Sequence, residues 1–168
     1  MARELKIKIK IDVLESEKEL TEREKLAWNK AKEATENAYA PYSNFLVGAA
    51  LLLEDGTIHI GNNQENAAYP SGLCAERTAL FGKSAVSPFM PIELIAIASR
   101  KAFTYKYLQA APCGGCRQVM TEYEDRQGSP IQVLLQGEGT EIYRLSSVKD
   151  LLPLVFNKES LLGAGAKE

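Results

Sequence analysis

Three cysteines constrain this chain more tightly than any other feature of its sequence. Cys74 stands alone, while Cys113 and Cys116 form a C-x-x-C within Pro112-Cys113-Gly114-Gly115-Cys116. Three cysteines cannot all pair as disulfides inside one chain. In a cytosolic setting the C-x-x-C spacing reads as metal-binding or redox-active rather than as a structural bridge. Both stretches open predicted helices, one over 74–83 and one beginning at Pro112, whose fixed φ and missing N–H suit a first helical turn. For the sulfurs to act together, two helix starts must meet. Thiolates at helix N-termini are held ionised by backbone N–H groups and by the positive helix ends. Three of them suit a tetrahedral Zn²⁺ with one open position, the pattern of catalytic zinc, whereas structural zinc normally closes with four ligands. An open site also needs an acid/base nearby, and Glu76 stands two residues after Cys74. The single histidine, His59, is a fourth ligand in principle, but its place in Thr57-Ile58-His59-Ile60 makes it better read as a solvent-facing strand residue.

The rest of the chain alternates strand and helix patterns. Leu5, Ile7, Ile9, Ile11 and Val13 alternate with Lys6, Lys8, Lys10 and Asp12, a period of two that predicts an edge strand with one buried face. Thr21 and Glu24 form a capping box for a helix running to about Tyr39, with Ala27, Ala31, Ala34 and Ala38 on its inner face. Glu54-Asp55-Gly56 joins strands over 47–53 and 57–61 as a hairpin. Further strands are predicted over 94–99, 131–135 and 141–145, and a short last helix over 148–152. This order predicts an α/β fold, with helices covering a mixed sheet in an α/β sandwich.

Composition excludes more than it assigns. The 168 residues fit one domain able to bury a core unaided. With 20 basic against 22 acidic residues, the net charge of −2 lacks the basic excess of a nucleic-acid binder. No apolar run approaches the roughly 20 residues needed to span a bilayer. The alternating N-terminus lacks the continuous apolar stretch of a signal peptide, so a cytoplasmic protein without nucleic-acid or membrane partners is expected.

Together, Cys74-Ala75-Glu76 and Pro112-Cys113-x-x-Cys116 resemble the signature of the zinc-dependent cytidine deaminases, in its three-cysteine form. The resemblance extends to Tyr42-Ser43-Asn44-Phe45-Leu46-Val47-Gly48-Ala49-Ala50, to Asn63-Gln64-Glu65-Asn66-Ala67-Ala68-Tyr69, and to Arg77 and Arg117-Gln118 beside the cysteines. It is to the small homotetrameric type rather than to the polynucleotide editors. It implies a three-layer α/β/α sandwich of the cytidine deaminase kind over 21–168; residues 1–20 have no counterpart in the family pattern and are an N-terminal extension, read as an added edge strand, a partner surface or an ornament. It also implies hydrolytic deamination of cytidine or deoxycytidine to the uridine counterpart, as in pyrimidine salvage.

The resemblance further lends roles to residues. Cys74, Cys113 and Cys116 would hold Zn²⁺. Glu76 would carry protons between water, ring N3 and the departing amine. Arg77 would donate to thiolate sulfur and offset its charge, though alone it would pass for a surface ion-pair residue. Asn63 and Glu65 would bind the ribose hydroxyls, Phe45 would pack on base or sugar, and backbone around Ala75 would meet the pyrimidine edge. Phe156 would reach a neighbouring subunit's site in a homotetramer. Read alone, Asn63-x-Glu65 is turn chemistry, Phe45 a core aromatic and Phe156 a docked tail residue. Arg100 to Ala111 is long for its place and is expected to border the site mouth. Two other functions share parts of the pattern: deamination of a modified cytosine nucleoside such as blasticidin S, and a non-catalytic zinc-binding module. Asn63-x-Glu65 favours a plain ribose over the first, and Glu76 argues against the second.

Overall fold

The protein, described by a computed structural model over residues 2–163, builds one six-stranded sheet between two helical layers. In chain order the elements are β1 (Asp12–Leu14), α1 (Glu22–Ala34), β2 (Phe45–Leu53), β3 (Ile58–Asn62), α2 (Ala75–Val86), β4 (Ile92–Lys101), α3 (Gly114–Gln127), β5 (Gln132–Gln136), β6 (Ile142–Leu145) and α4 (Lys158–Leu162). The sheet order is β1-β6-β5-β4-β2-β3. Only β4 and β5 run parallel, joined by the crossover through α3; every other pairing is antiparallel. The expected mixed sheet in an α/β/α sandwich is the observed fold.

The central strands explain the layering. Both faces of β2 and β4 are covered, so they read as continuous apolar runs. Along β2, Ala50 and Leu52 turn toward α1, where they meet Ala27, Trp28 and Ala31. Ala49, Leu51 and Leu53 turn to the opposite core, which holds Ala75, Ala79 and Leu80 of α2 and Met120 of α3. Period two on the strand thus divides one sequence between two cores. The capping box at the start of α1 is formed: Glu24 N–H donates to Thr21 Oγ1 (3.3 Å) and Thr21 N–H to Glu24 Oε2 (2.8 Å). The same carboxylate accepts from Arg144 on β6 (2.8 Å), tying the first helix to the far side of the sheet. At the β2–β3 turn, Gly56 takes a left-handed φ of 86° and Asp55 accepts from Thr57 N–H.

Four boundaries differ from the sequence reading. Helix α1 ends at Ala34, and 35–37 continue as a 3-10 turn rather than as α-helix to Tyr39. Helix α3 starts at Gly114 with Cys113 as its N-cap, so Pro112 precedes the helix instead of opening it. Residues 148–151 form a 3-10 turn, and the short α4 follows it. The N-terminal alternation fails most clearly. Only Asp12–Leu14 pairs, with β6, and the residue it buries is Leu14, from the opposite face to the apolar series. Leu5, Ile7, Ile9, Ile11 and Val13 are all exposed, because no strand or helix lies beneath them. The expected domain of 21–168 extends past the described residues, and 164–168 lie outside them.

Two glycines set the distance between sheet and helices. A Cβ on Gly61 of β3 would stand 2.4 Å from Ala79 N and 2.7 Å from Ala75 O, both backbone atoms of α2. Gly48 of β2 meets Ala31 O of α1 just as closely, at 2.1 Å. Neither neighbour can step aside without moving a helix. Gly61→Ala is therefore expected to cost about 1–3 kcal/mol or more, as overpacking does. Gly82→Ala, at an exposed α2 position with nothing within 4 Å, is expected to gain roughly 0.5–1 kcal/mol from helix propensity. Urea melts of the two variants check both signs.

Candidate metal centre and active site

The N-termini of α2 and α3 come together at one end of the sheet, α3 beginning beyond the carboxyl end of β4. Clefts at this edge are the common location of sites in sheets with parallel crossovers. Cys74 is the N-cap of α2, with its carbonyl accepting from Thr78 N–H (3.1 Å) and Thr78 Oγ1 (3.1 Å). Cys113 is the N-cap of α3, and its sulfur accepts from Cys116 N–H (3.4 Å). Cys116 stands one turn into the helix, fully buried. The Sγ atoms of Cys74 and Cys113 are 3.8 Å apart and those of Cys113 and Cys116 3.4 Å, with all three within 4.8 Å of one another.

This donor set fits zinc. Sulfurs at about 2.3 Å from a tetrahedral Zn²⁺ stand roughly 3.8 Å from each other, close to the separations found here. Without a cation the cluster cannot hold its charge. A hydrogen bond from Cys116, then one from Arg77, lowers the Cys74 thiol to about 5. Giving that hydrogen bond, together with burial and the nearby Glu76 carboxylate, pushes Cys116 upward. The Cys74 thiolate is thus favoured by the proton that Cys116 keeps, and a bound cation would take the place of that proton. Arg77 NH2 lies 3.8 Å from Cys74 Sγ, where the sulfur raises the guanidinium's proton affinity further. His59, on β3 opposite Leu51, is outside the cluster.

Glu76, in the first turn of α2, is only 4% exposed. Burial raises its carboxyl above the ordinary carboxylate range, against the pull of its own N–H, the Cys116 thiol and Arg77. It lines a cavity of about 670 Å³ with Cys74, Arg77 and Cys113. The opposite wall carries Phe45, Asn63 and Glu65. The Asn63 amide is partly committed to β2, accepting from Val47 N–H (2.8 Å) and donating to Phe45 O (2.9 Å). The Glu65 carboxylate accepts from Tyr42 N–H (2.9 Å) and from the hydroxyl and N–H of Ser43, contacts that lower its pKa. Ala75, between Cys74 and Glu76 at the start of α2, is fully buried, with its carbonyl packed against Gly61.

Other expected residues stand apart. Phe156 does not line the cavity of its own chain: it is 59% exposed, and its carbonyl accepts from Gln118 Nε2 (2.6 Å) on α3. The 100–111 connection reaches the cavity only through Ala110 and Ala111, while Phe103, at the tip with φ 62°, is 98% exposed. Buried Arg100 anchors that connection through Thr35 Oγ1, Thr104 O and Glu36. Sequence reasoning gave no role to Tyr42 and Tyr69, which line the cavity as an edge-to-face pair with centroids 6.1 Å apart. Their position beside Ser43 and two residues past Ala67 was the available signal. Arg117, matched beside Cys116 but given no role, donates from its guanidinium to Pro112 O (2.8 Å) and Leu151 O (3.0 Å), fixing the approach to Cys113.

The family model for the cytidine and deoxycytidylate deaminase zinc-binding region matches residues 21–128. This chain belongs to that family. It is 41% identical over 133 residues to the cytidine deaminase of Sporosarcina psychrophila, which covers 78% of this chain and 89% of that protein. Among solved structures it is similar to the cytidine deaminase of Burkholderia pseudomallei, at 41% identity and a TM-score of 0.67, covering 82% of this chain and all of that one. The cytidine deaminase of Mycobacterium tuberculosis gives 31% identity and a TM-score of 0.61, covering 78% of this chain and 94% of that one. Family membership and the sulfur cluster agree on zinc as the cofactor.

Elemental analysis of the purified protein is therefore expected to find about one zinc per chain, as a single tetrahedral site requires. Cys113→Ala should lose most of it, and His59→Ala should keep it. Full zinc in Cys113→Ala would refute the assignment of that ligand.

Proposed function

We propose that this family member hydrolyses the 4-amino group of cytidine and deoxycytidine, giving the uridine nucleoside and ammonia, with Glu76 as the proton carrier. The observation that carries the reading is a buried carboxyl of raised pKa lining one cavity with Cys74 and Cys113, two of three clustered sulfurs. Cys74, Cys113 and Cys116 hold the zinc, which when bound supplies the Lewis acidity that lets water attack C4 near neutral pH. Glu76 accepts one proton of the attacking water and delivers it to ring N3, then takes the remaining proton from the hydroxyl left on C4 and gives it to the departing amine as the C4 carbonyl forms. A carboxyl raised by burial is suited to both accepting and returning a proton. Arg77 spreads its positive charge over Cys74 sulfur and moderates the negative charge of three thiolates.

The far wall positions the sugar. Glu65 offers acceptor oxygens to a hydroxyl, and Asn63 retains one N–H and one lone pair beyond its contacts to β2. Phe45 gives a flat apolar surface, and the backbone at Ala75 with Cys113 meets the pyrimidine edge. Phe156 completes a neighbouring chain's pocket in a homotetramer; its outward side chain and tethered carbonyl support that reading. The substrate is a small nucleoside rather than a polynucleotide, and the setting is cytoplasmic pyrimidine salvage. No helix among the described residues is long and apolar enough to cross a membrane.

Glu76→Gln separates proton transfer from metal binding. The amide is nearly isosteric and leaves the thiolates intact, so zinc content and melting temperature should hold. Turnover of cytidine should fall by about 10²–10⁴, the scale of general acid–base catalysis. Activity within a few-fold of the unmodified protein would contradict the role.

Phe156→Ala tests the assembly. Light scattering is expected to give a tetramer's mass, with kcat/KM reduced in the variant. A fully active monomer would refute the shared pocket.

A further inference from the structure

A second cavity, of about 420 Å³, lies away from the sulfur cluster, between the last turns of α2 and α3 and beneath the 87–90 turn. Its size falls within the range of small-molecule sites. Lys83 lines it from α2 and is only 3% exposed. An ammonium group has three donors, and among the described residues only Pro88 O accepts one of them, at 3.3 Å. A buried lysine is normally paired with a carboxylate. Lys83 instead shares its cavity with a second cation, Arg126 of α3. Burial and then the Arg126 guanidinium lower its pKa from the ordinary lysine value.

The carboxylates at this cavity do not neutralise the pair. Asp125 is bound to Lys149 Nζ at 2.6 Å. Glu122 is exposed and forms no ion pair with either cation among the described residues. Exposed Arg126 lies over the Tyr123 ring, its guanidinium carbon 5.2 Å from the centroid, and makes no ion pair among the described residues. Phe89, 95% exposed at the rim, adds an apolar surface beside the cations.

From this juxtaposition of two uncompensated cations in a built cavity, we propose that Lys83 and Arg126 form an anion-binding site for a phosphate group, either free or carried by a small ester. Phosphate suits both partners, since Lys binds it as a point charge and Arg through a planar fork. The site is independent of the deaminase chemistry. It carries no role for zinc or Glu76, and its failure would leave that chemistry untouched.

Calorimetric titration tests it on the zinc-loaded protein, with uridine present to fill the nucleoside cavity and ionic strength held constant with chloride. The probes are inorganic phosphate and ribose 5-phosphate. Saturable binding of one anion per chain is expected. Lys83→Met and Arg126→Gln should each weaken it at least about tenfold, the scale of one charge-assisted hydrogen bond. Lys30→Gln, which removes an exposed charge on α1, should not. Equal affinity for the probes identifies free phosphate as the ligand, and tighter binding of ribose 5-phosphate identifies an ester seated against Phe89. Absence of saturable binding, or binding unchanged in Arg126→Gln, would overturn the proposal; because Arg126 is exposed, that variant decides the matter even if Lys83→Met fails to fold.

Discussion

Three sulfurs within 4.8 Å of one another cannot all be ionised unless a cation stands among them. Much of the fold around them serves to bring them together. Two come from helix N-caps and the third from one turn further in, so the positions of α2 and α3 decide the cluster. Gly61 lets α2 lie directly on β3, and the β4–α3–β5 crossover sets α3 beyond the end of the adjacent strand. Arg117 then ties the peptide before Cys113 to the chain beyond β6. A metal bound here is linked to folding, because its affinity depends on helices that exist only in the folded chain.

The same helix start that supplies Cys74 also supplies Glu76. Turning the chain into α2 directs the sulfur to the cluster and leaves the carboxyl two residues later on the cavity wall, with little water around it. Its raised pKa follows from that burial first. The opposite wall is built differently. It rests on hydrogen bonds from Tyr42 and Ser43 to Glu65, and on a pair exchanged between Asn63 and the β2 backbone, accepted from Val47 N–H and donated to Phe45 O. The metal side is thus set by packed elements and the Asn63–Glu65 side by polar contacts of loop and strand end. Substrate preference has more freedom to vary on the second side, because loops tolerate change that helix–sheet contacts do not.

What the sequence disclosed follows the range of the interactions. The α1 cap and the β2–β3 hairpin were legible because residues a few positions apart decide them. The cysteine cluster was legible because its ligand types and spacing have few other uses. The N-terminal segment misled, since alternation of Leu5, Ile7, Ile9, Ile11 and Val13 states that two faces differ and not that anything covers one of them. Pro112 suited a first helical turn, yet Cys113 was the better cap. Lys83 with Arg126 is a meeting between distant segments that left no local trace, whereas Tyr42 and Tyr69 stand within quoted motifs whose spacing does not say that the two rings meet. Proposed roles for Asn63, Glu65 and Phe156 came from resemblance, because hydrogen-bond partners and neighbouring subunits are not written in residue spacing.

Deamination of free cytosine nucleosides by this chain rests on a buried carboxyl beside a three-thiolate zinc centre. Its most direct test is the ultraviolet time course of the zinc-loaded protein with cytidine, deoxycytidine, cytosine and adenosine run in parallel, with ammonia assayed in the same samples. A spectral change from cytosine to uracil chromophore is expected with both cytosine nucleosides, with one ammonia released for each uridine formed and little change with free cytosine or adenosine. Zinc-replete, folded protein that leaves cytidine and deoxycytidine unaltered would contradict it.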